Sequence, residues 1–127
     1  MEQFNALLEV VRRLNGPNGC PWDLKQTFVT LAPYVLEEAN EVVDAVAQGD
    51  DRHIAEELGD LLYTILFYAM VGEKTGRFTL EEILETIREK MIRRHPHIFG
   101  DSQASTPEEI EKQWKEIKKK EKAERSS

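Results

Sequence analysis

From Leu61 to Val71 the chain reads Leu-Leu-Tyr-Thr-Ile-Leu-Phe-Tyr-Ala-Met-Val, with Thr64 its only member that is neither aliphatic nor aromatic. As a helix, this run is apolar on every side and must be covered on every side. The flanking segments supply helices to do so. Glu2 to Leu14 spaces Phe4, Leu7, Leu8, Val11 and Leu14 helically before Asn15-Gly16-Pro17-Asn18-Gly19 breaks the pattern. Cys20 to Asp23 reads as a loop. A second helix is predicted over Thr30–Ala47, closed by Gln48-Gly49-Asp50, and a third, holding the apolar run, from about Asp51 to Lys74. Thr79 with Glu82, and Thr106 with Pro107 and Glu109, mark the starts of a fourth and a fifth helix. The fourth stops before Pro96, and fraying is expected from Glu121 onward. No stretch alternates with period two. The prediction is an all-α bundle of about five helices with a four-helix core, forming one domain over residues 1–127. Four small helices seldom enclose a fifth surface completely, so a homo-oligomer is expected, with Tyr63, Phe67 and Met70 at the contact. The alternative is a lid from Ile110, Trp114 and Ile117 of the last helix.

Charge narrows the partners. The 127 residues carry 17 basic and 24 acidic side chains, a net charge of −7, and the excess lies before Pro107. Such a body repels a polyphosphate backbone, which argues against a nucleic-acid polymer as partner, but it suits divalent cations. The single cysteine, Cys20, excludes an internal disulfide framework or a multi-cysteine zinc cluster. No apolar stretch approaches the roughly 18 residues that a membrane span requires. The start of the chain lacks a signal-peptide pattern, so a soluble cytoplasmic protein is expected.

Two acidic clusters, Glu37-Glu38-Ala39-Asn40-Glu41 and Glu56-Glu57-Leu58-Gly59-Asp60, fall on adjacent predicted helices. At about 100° per residue, Glu38 and Glu41 share one face, as do Glu57 and Asp60. Both faces continue into partly apolar stripes, through Leu31, Tyr34 and Ala45 and through Thr64, Phe67 and Val71. The pairs therefore point into the structure rather than forming a solvated acidic face. If the helices pack antiparallel across Gln48-Gly49-Asp50, the pairs meet at similar heights. Four converging carboxylates need a cation, and magnesium, a hard ion preferring oxygen ligands, fits, with manganese as a possible substitute. A di-iron site would require Glu-x-x-His pairs, which His53, His95 and His97 do not form. No phosphate-binding glycine loop or dinucleotide fingerprint is present.

Lys90 and Arg94 lie four apart near the end of the fourth helix, with Arg94 close to its apolar stripe. They either complement the helix dipole or point inward toward phosphate. Trp114 and Lys118 have the same spacing on the last helix and read, by themselves, as a core tryptophan beside a snorkelling lysine. Trp22 either stacks on a base or caps the bundle.

These residues resemble the MazG family of all-α nucleoside triphosphate pyrophosphohydrolases. The resemblance rests on Glu37, Glu38 and Glu41 with Glu57 and Asp60, supported by segments 18–23, 31–34, 76–79 and 93–101, and extends from about Leu8 to Lys118. It implies magnesium-dependent hydrolysis of a nucleoside triphosphate to monophosphate and pyrophosphate, clearing non-canonical or surplus nucleotides. It implies metal ligands at Glu38, Glu41, Glu57 and Asp60, and substrate contacts at Lys90, Arg94, Trp114 and Lys118. It also implies a homodimer or dimer of dimers. Glu38 then serves catalysis as well as metal binding, and Glu37 is a candidate base or second orienting group. Many family members carry two such domains in tandem; this sequence has one. Two alternatives are a phosphoribosyl-ATP pyrophosphohydrolase-like enzyme and a non-catalytic nucleotide-binding dimerisation module.

Overall fold

The computed structural model describes residues 1–126, which form seven helices and, among the described residues, no strand. Two compact units can be distinguished, Met1–Leu80 and Glu81–Ser127. No helix is long and apolar enough to cross a membrane among the described residues.

The first unit contains α1 (Glu2–Leu14), α2 (Pro21–Leu24), α3 (Phe28–Gln48) and α4 (Asp51–Lys74). α3 starts two residues before the predicted Thr30 because two threonines cap it reciprocally. The Thr30 N–H donates to the Thr27 hydroxyl oxygen at 3.2 Å, and the Thr27 N–H donates to the Thr30 hydroxyl oxygen at 2.7 Å. At its other end Gly49 adopts φ 81°, the left-handed C-cap that a side chain would strain. Asp50 follows at once and accepts the Arg52 N–H at 3.1 Å, starting α4. With so short a link, α3 and α4 fold back on each other as a helical hairpin, the principal helix pair of the structure.

The hairpin buries Leu31, Phe67 and Val71, with Phe28, Tyr63 and Tyr68 packed around them. The segment Cys20–Asp23, expected as a loop, enters a short helix instead. Pro21 occupies its first position, and the Leu24 N–H donates to the Cys20 carbonyl at 2.9 Å. This turn buries Asp23, whose carboxylate accepts the Tyr63 hydroxyl at 3.3 Å and so ties α2 to α4. At the far end of α4, Glu73 accepts Arg12 Nη1 at 2.9 Å and the Leu80 N–H at 3.1 Å. Phe78 folds back over Gly72 and packs against Phe28, with ring centroids 5.7 Å apart.

One expectation for α4 is corrected. Phe67 and Met70, expected to need a partner subunit, are only 2% and 5% exposed within this chain, and Tyr63 is half-buried. The apolar residues left in solvent are Leu58, Leu62 and Ile65 on α4, and Val29, Leu36, Val43 and Val46 on α3.

The second unit holds α5 (Leu80–Arg94) from Glu81 onward, α6 (Pro96–Phe99) and α7 (Pro107–Ser126). α5 stops where predicted, since the residue preceding Pro96 is pushed out of the helical region; His95 has ψ 56°. Thr106 caps α7, accepting the Glu109 N–H at 3.2 Å while its hydroxyl donates to the Glu109 carboxylate at 3.0 Å. α7 continues through Ser126, past the point at which fraying was expected. Glu121 accepts Arg93 Nε at 2.6 Å and Arg94 Nη2 at 2.9 Å, which anchors that half of the helix.

The packing of Phe78 on Gly72 has a measurable consequence. A Cβ at residue 72 would stand 2.4 Å from a Phe78 ring carbon. We expect Gly72→Ala to destabilise the fold by about 1–3 kcal/mol through overpacking, read as a lower urea midpoint with unchanged slope.

Candidate functional site

The α3–α4 hairpin brings together the four carboxylates that the sequence singles out. One oxygen each of Glu38, Glu41, Glu57 and Asp60 lies within 4.8 Å of the others. Glu38, Glu41 and Glu57 are half-buried and Asp60 is exposed. The convergence follows from the chain: Gly49 and Asp50 reverse it, and three-residue spacing on each helix presents two carboxylates to the partner helix.

The electrostatic consequence is severe. Burial, then the charges of Glu41 and Asp60, push the Glu38 carboxyl up to about 7 from 4.5. Burial and a hydrogen bond with Glu41 raise Glu57 as well, opposed by His53, whose Nε2 lies 3.2 Å from Glu57 Oε1. Glu38 Oε2 and Glu57 Oε2 are both buried without a hydrogen-bond partner. Two orphaned buried oxygens in an all-oxygen donor set fit a hard divalent cation, which would satisfy them and offset the repulsion together.

Beside the carboxylates opens a cleft of about 260 Å³, between Glu38 and Asp60 and walled by Trp22, Tyr34, Tyr63 and Phe67. Trp22 meets Tyr34 and Phe67 edge-on, at centroid distances of 5.5 and 6.3 Å. The sequence left Trp22 undecided; α2, unrecognised there, brings it to this wall. Glu37 is exposed and stands outside the carboxylate group, as one residue of helical rotation from Glu38 requires. His53 was weighed in the sequence only as a metal ligand; its contact with Glu57 was missed, although its place four residues before Glu57 was a readable signal.

The remaining predicted residues lie in the second unit. Arg94 is only 7% exposed, its guanidinium carbon 5.1 Å from the Trp114 ring centroid. Trp114 also meets His95 edge-on at 5.2 Å. Lys90 is half-buried on the wall of a pocket that it shares with Arg93 and Arg94, and Lys118 is exposed. Sequence reasoning missed the pairing of Arg93 and Arg94 with Glu121, since 27 residues separate Glu121 from Arg94 and no periodic pattern links them.

The fold and site define an all-α protein whose central hairpin presents four carboxylates, a donor set that could hold a metal ion, beside an aromatic cleft. The sequence defines it further: residues 26–99 match the MazG nucleotide pyrophosphohydrolase domain, and the chain belongs to that family. It is similar to the nucleoside triphosphate pyrophosphohydrolase of Escherichia coli K12, with 46% identity over 127 residues, 99% of this chain and 48% of that protein. A nucleoside triphosphate pyrophosphohydrolase/pyrophosphatase MazG of Thermotoga maritima is 43% identical over 124 residues, 98% of this chain and 47% of that one. The chain thus spans about half the length of these relatives. The crystal structure of a mazG-related protein from Thermotoga maritima superposes with a TM-score of 0.77 at 36% identity, over 91% of this chain and 98% of the other. The family match includes all four carboxylates, Lys90 and Arg94, but ends before Trp114 and Lys118.

The carboxylate cluster makes stability depend on pH in a specific direction. Without a cation, the folded chain keeps the Glu38 proton up to about pH 7, whereas the unfolded chain releases it near 4.5. The folded state therefore binds more protons in that window, and this group's contribution to stability falls as pH rises through it. We expect Glu38→Gln, in chelator, to melt higher than the parent above pH 7 and to flatten the decline across the window. Thermal unfolding followed by helical circular dichroism reads both effects.

Proposed function

We propose that the chain hydrolyses nucleoside triphosphates to nucleoside monophosphate and pyrophosphate, with magnesium at Glu38, Glu41, Glu57 and Asp60. The observation that carries this reading is the convergence of those carboxylates with two buried, unpartnered oxygens beside a cleft large enough to admit part of a nucleotide. The names of the relatives support the reaction type. The biological role that suits it is removal of non-canonical or surplus nucleotides in the cytoplasm.

Magnesium there supplies charge neutralisation to the triphosphate oxygens and to the leaving pyrophosphate. The chain supplies the rest. The four carboxylates would hold that ion, and the aromatic walls of the cleft would hold the reacting end of the substrate beside it. Glu38 is proposed to take the proton of the water that attacks the α-phosphorus. Glu37, exposed beside it, orients that water's shell. Lys90 and Arg94 are proposed to hold phosphate oxygens, with Trp114 and Lys118 contacting the nucleoside. The P–O bond to the pyrophosphate breaks as the water oxygen bonds to the α-phosphorus.

The test is pyrophosphate released per triphosphate consumed, over a panel of ribo- and deoxynucleotides. We expect stoichiometric, magnesium-dependent release. Asp60→Asn should reduce it by more than about a hundredfold, the upper end for residues that only support a metal ligand, while helix content stays unchanged. Near-normal activity in that variant sinks the four-carboxylate site, and nucleotide binding without turnover leaves a binding module.

We also propose a homodimer through the outer face of the hairpin. Val29, Leu36 and Val43 recur every seven residues on α3, roughly opposite Tyr34 and Glu38 around that helix. Leu58, Leu62 and Ile65 form the corresponding stripe on α4. Apolar side chains left exposed on both helices of the hairpin match a second copy packed as a helical bundle. We expect Leu62→Glu to shift the protein from dimer to monomer in light scattering at micromolar concentration; a parent that is already monomeric there overturns the dimer.

A further inference from the structure

The pocket that carries Lys90 in the second unit, about 510 Å³ in volume, is lined by Arg93, Arg94 and Arg125 and also by Glu121. Glu121 uses both carboxylate oxygens on two successive guanidinium groups: Arg93 Nε donates to one at 2.6 Å and Arg94 Nη2 to the other at 2.9 Å. The two arginines hold the Glu121 carboxyl down at about 2, so it is an anion at every physiological pH. Arg94 itself is buried over Trp114, and its Nε is buried without a partner. A paired oxyanion bridging two guanidinium forks is also how phosphate oxygens are bound.

We propose that Glu121 is an internal stand-in for substrate phosphate: triphosphate binding exchanges the Glu121 carboxylate for phosphate oxygens, and Arg93 then joins Lys90 and Arg94 as a phosphate-binding residue. This rests on the proposal that Lys90 and Arg94 hold phosphate. Glu121 competes rather than positions, because it consumes the N–H groups a phosphate would use and places a negative charge where a more negative group must arrive. With Glu89 and Glu124 also present, the pocket holds four basic against three acidic side chains, a balance too close to neutral to attract a triphosphate strongly until Glu121 leaves. The exchange can begin at Arg93, whose side chain is 52% exposed; the Arg94 side chain is 9% exposed and Glu121 16%, so that bond is released only as an incoming phosphate oxygen replaces the carboxylate. The latch thus lowers the affinity for scarce or singly charged anions and admits a triphosphate, whose charge outbids one carboxylate.

The test compares the intact chain with Glu121→Gln for binding of inorganic tripolyphosphate by calorimetry, and for nucleoside triphosphate hydrolysis. The latch requires tighter tripolyphosphate binding in Glu121→Gln by about three- to tenfold, and a KM lowered by a similar factor with kcat little changed. Unchanged or weaker binding overturns it, the latter making Glu121 a positioning residue. If the variant does not fold, the parent protein still decides. Tripolyphosphate should shift the Nε–H nuclear magnetic resonance signals of both Arg93 and Arg94, and a shift confined to Arg94, or none, overturns the proposal. Absence of pyrophosphate release from every triphosphate would remove the enzymatic reading, while the calorimetric comparison would still judge the latch.

Discussion

Four carboxylates held within 4.8 Å of one another repel, and the α3–α4 hairpin keeps them there against that repulsion. The force that does so is apolar burial. Leu31, Phe67 and Val71 lock the two helices together beside the acidic group, and each buried side chain of that size contributes about 1.5–3 kcal/mol. The Gly49–Asp50 link adds geometry: a left-handed cap and an aspartate N-cap in succession leave no slack for the helices to slide. The site is thus a cluster of mutually repelling charges mounted on an apolar core.

Around this hairpin the smaller pieces do local work. α2 turns Asp23 inward to Tyr63 and brings Trp22 to the wall of the cleft. Glu73, at the end of α4, receives both the Arg12 guanidinium and the Leu80 N–H, joining α1 to the start of α5. In the second unit the same physics has the opposite sign. Cations gather at the end of α5, and a carboxylate from α7 neutralises them.

Legibility in the sequence followed the range of the signal. The α4 boundaries, the stop of α5 before Pro96 and the start of α7 at Pro107 were readable because caps and prolines act over three or four residues. The carboxylate quartet was readable because each pair sits three apart on one helix and a short turn relates the two. The start of α3 was missed by two residues, since Thr27 and Thr30 make a capping box without the glutamate that usually marks one. α2 was missed because a four-residue helix has no period to detect.

The sequence by itself determined the all-α architecture, the hairpin and the acidic face, since periodicity, capping and charge spacing are properties of neighbouring residues. Tertiary structure alone decided which apolar residues of α4 are covered. The sequence marks the whole helix as apolar, yet Phe67 and Met70 are buried in this chain while Leu58, Leu62 and Ile65 are left outside. It also decided that Trp22 faces the carboxylates and that Glu121 occupies Arg93 and Arg94. Burial and long-range pairing depend on which surfaces the folded chain has already covered, and no local pattern records that.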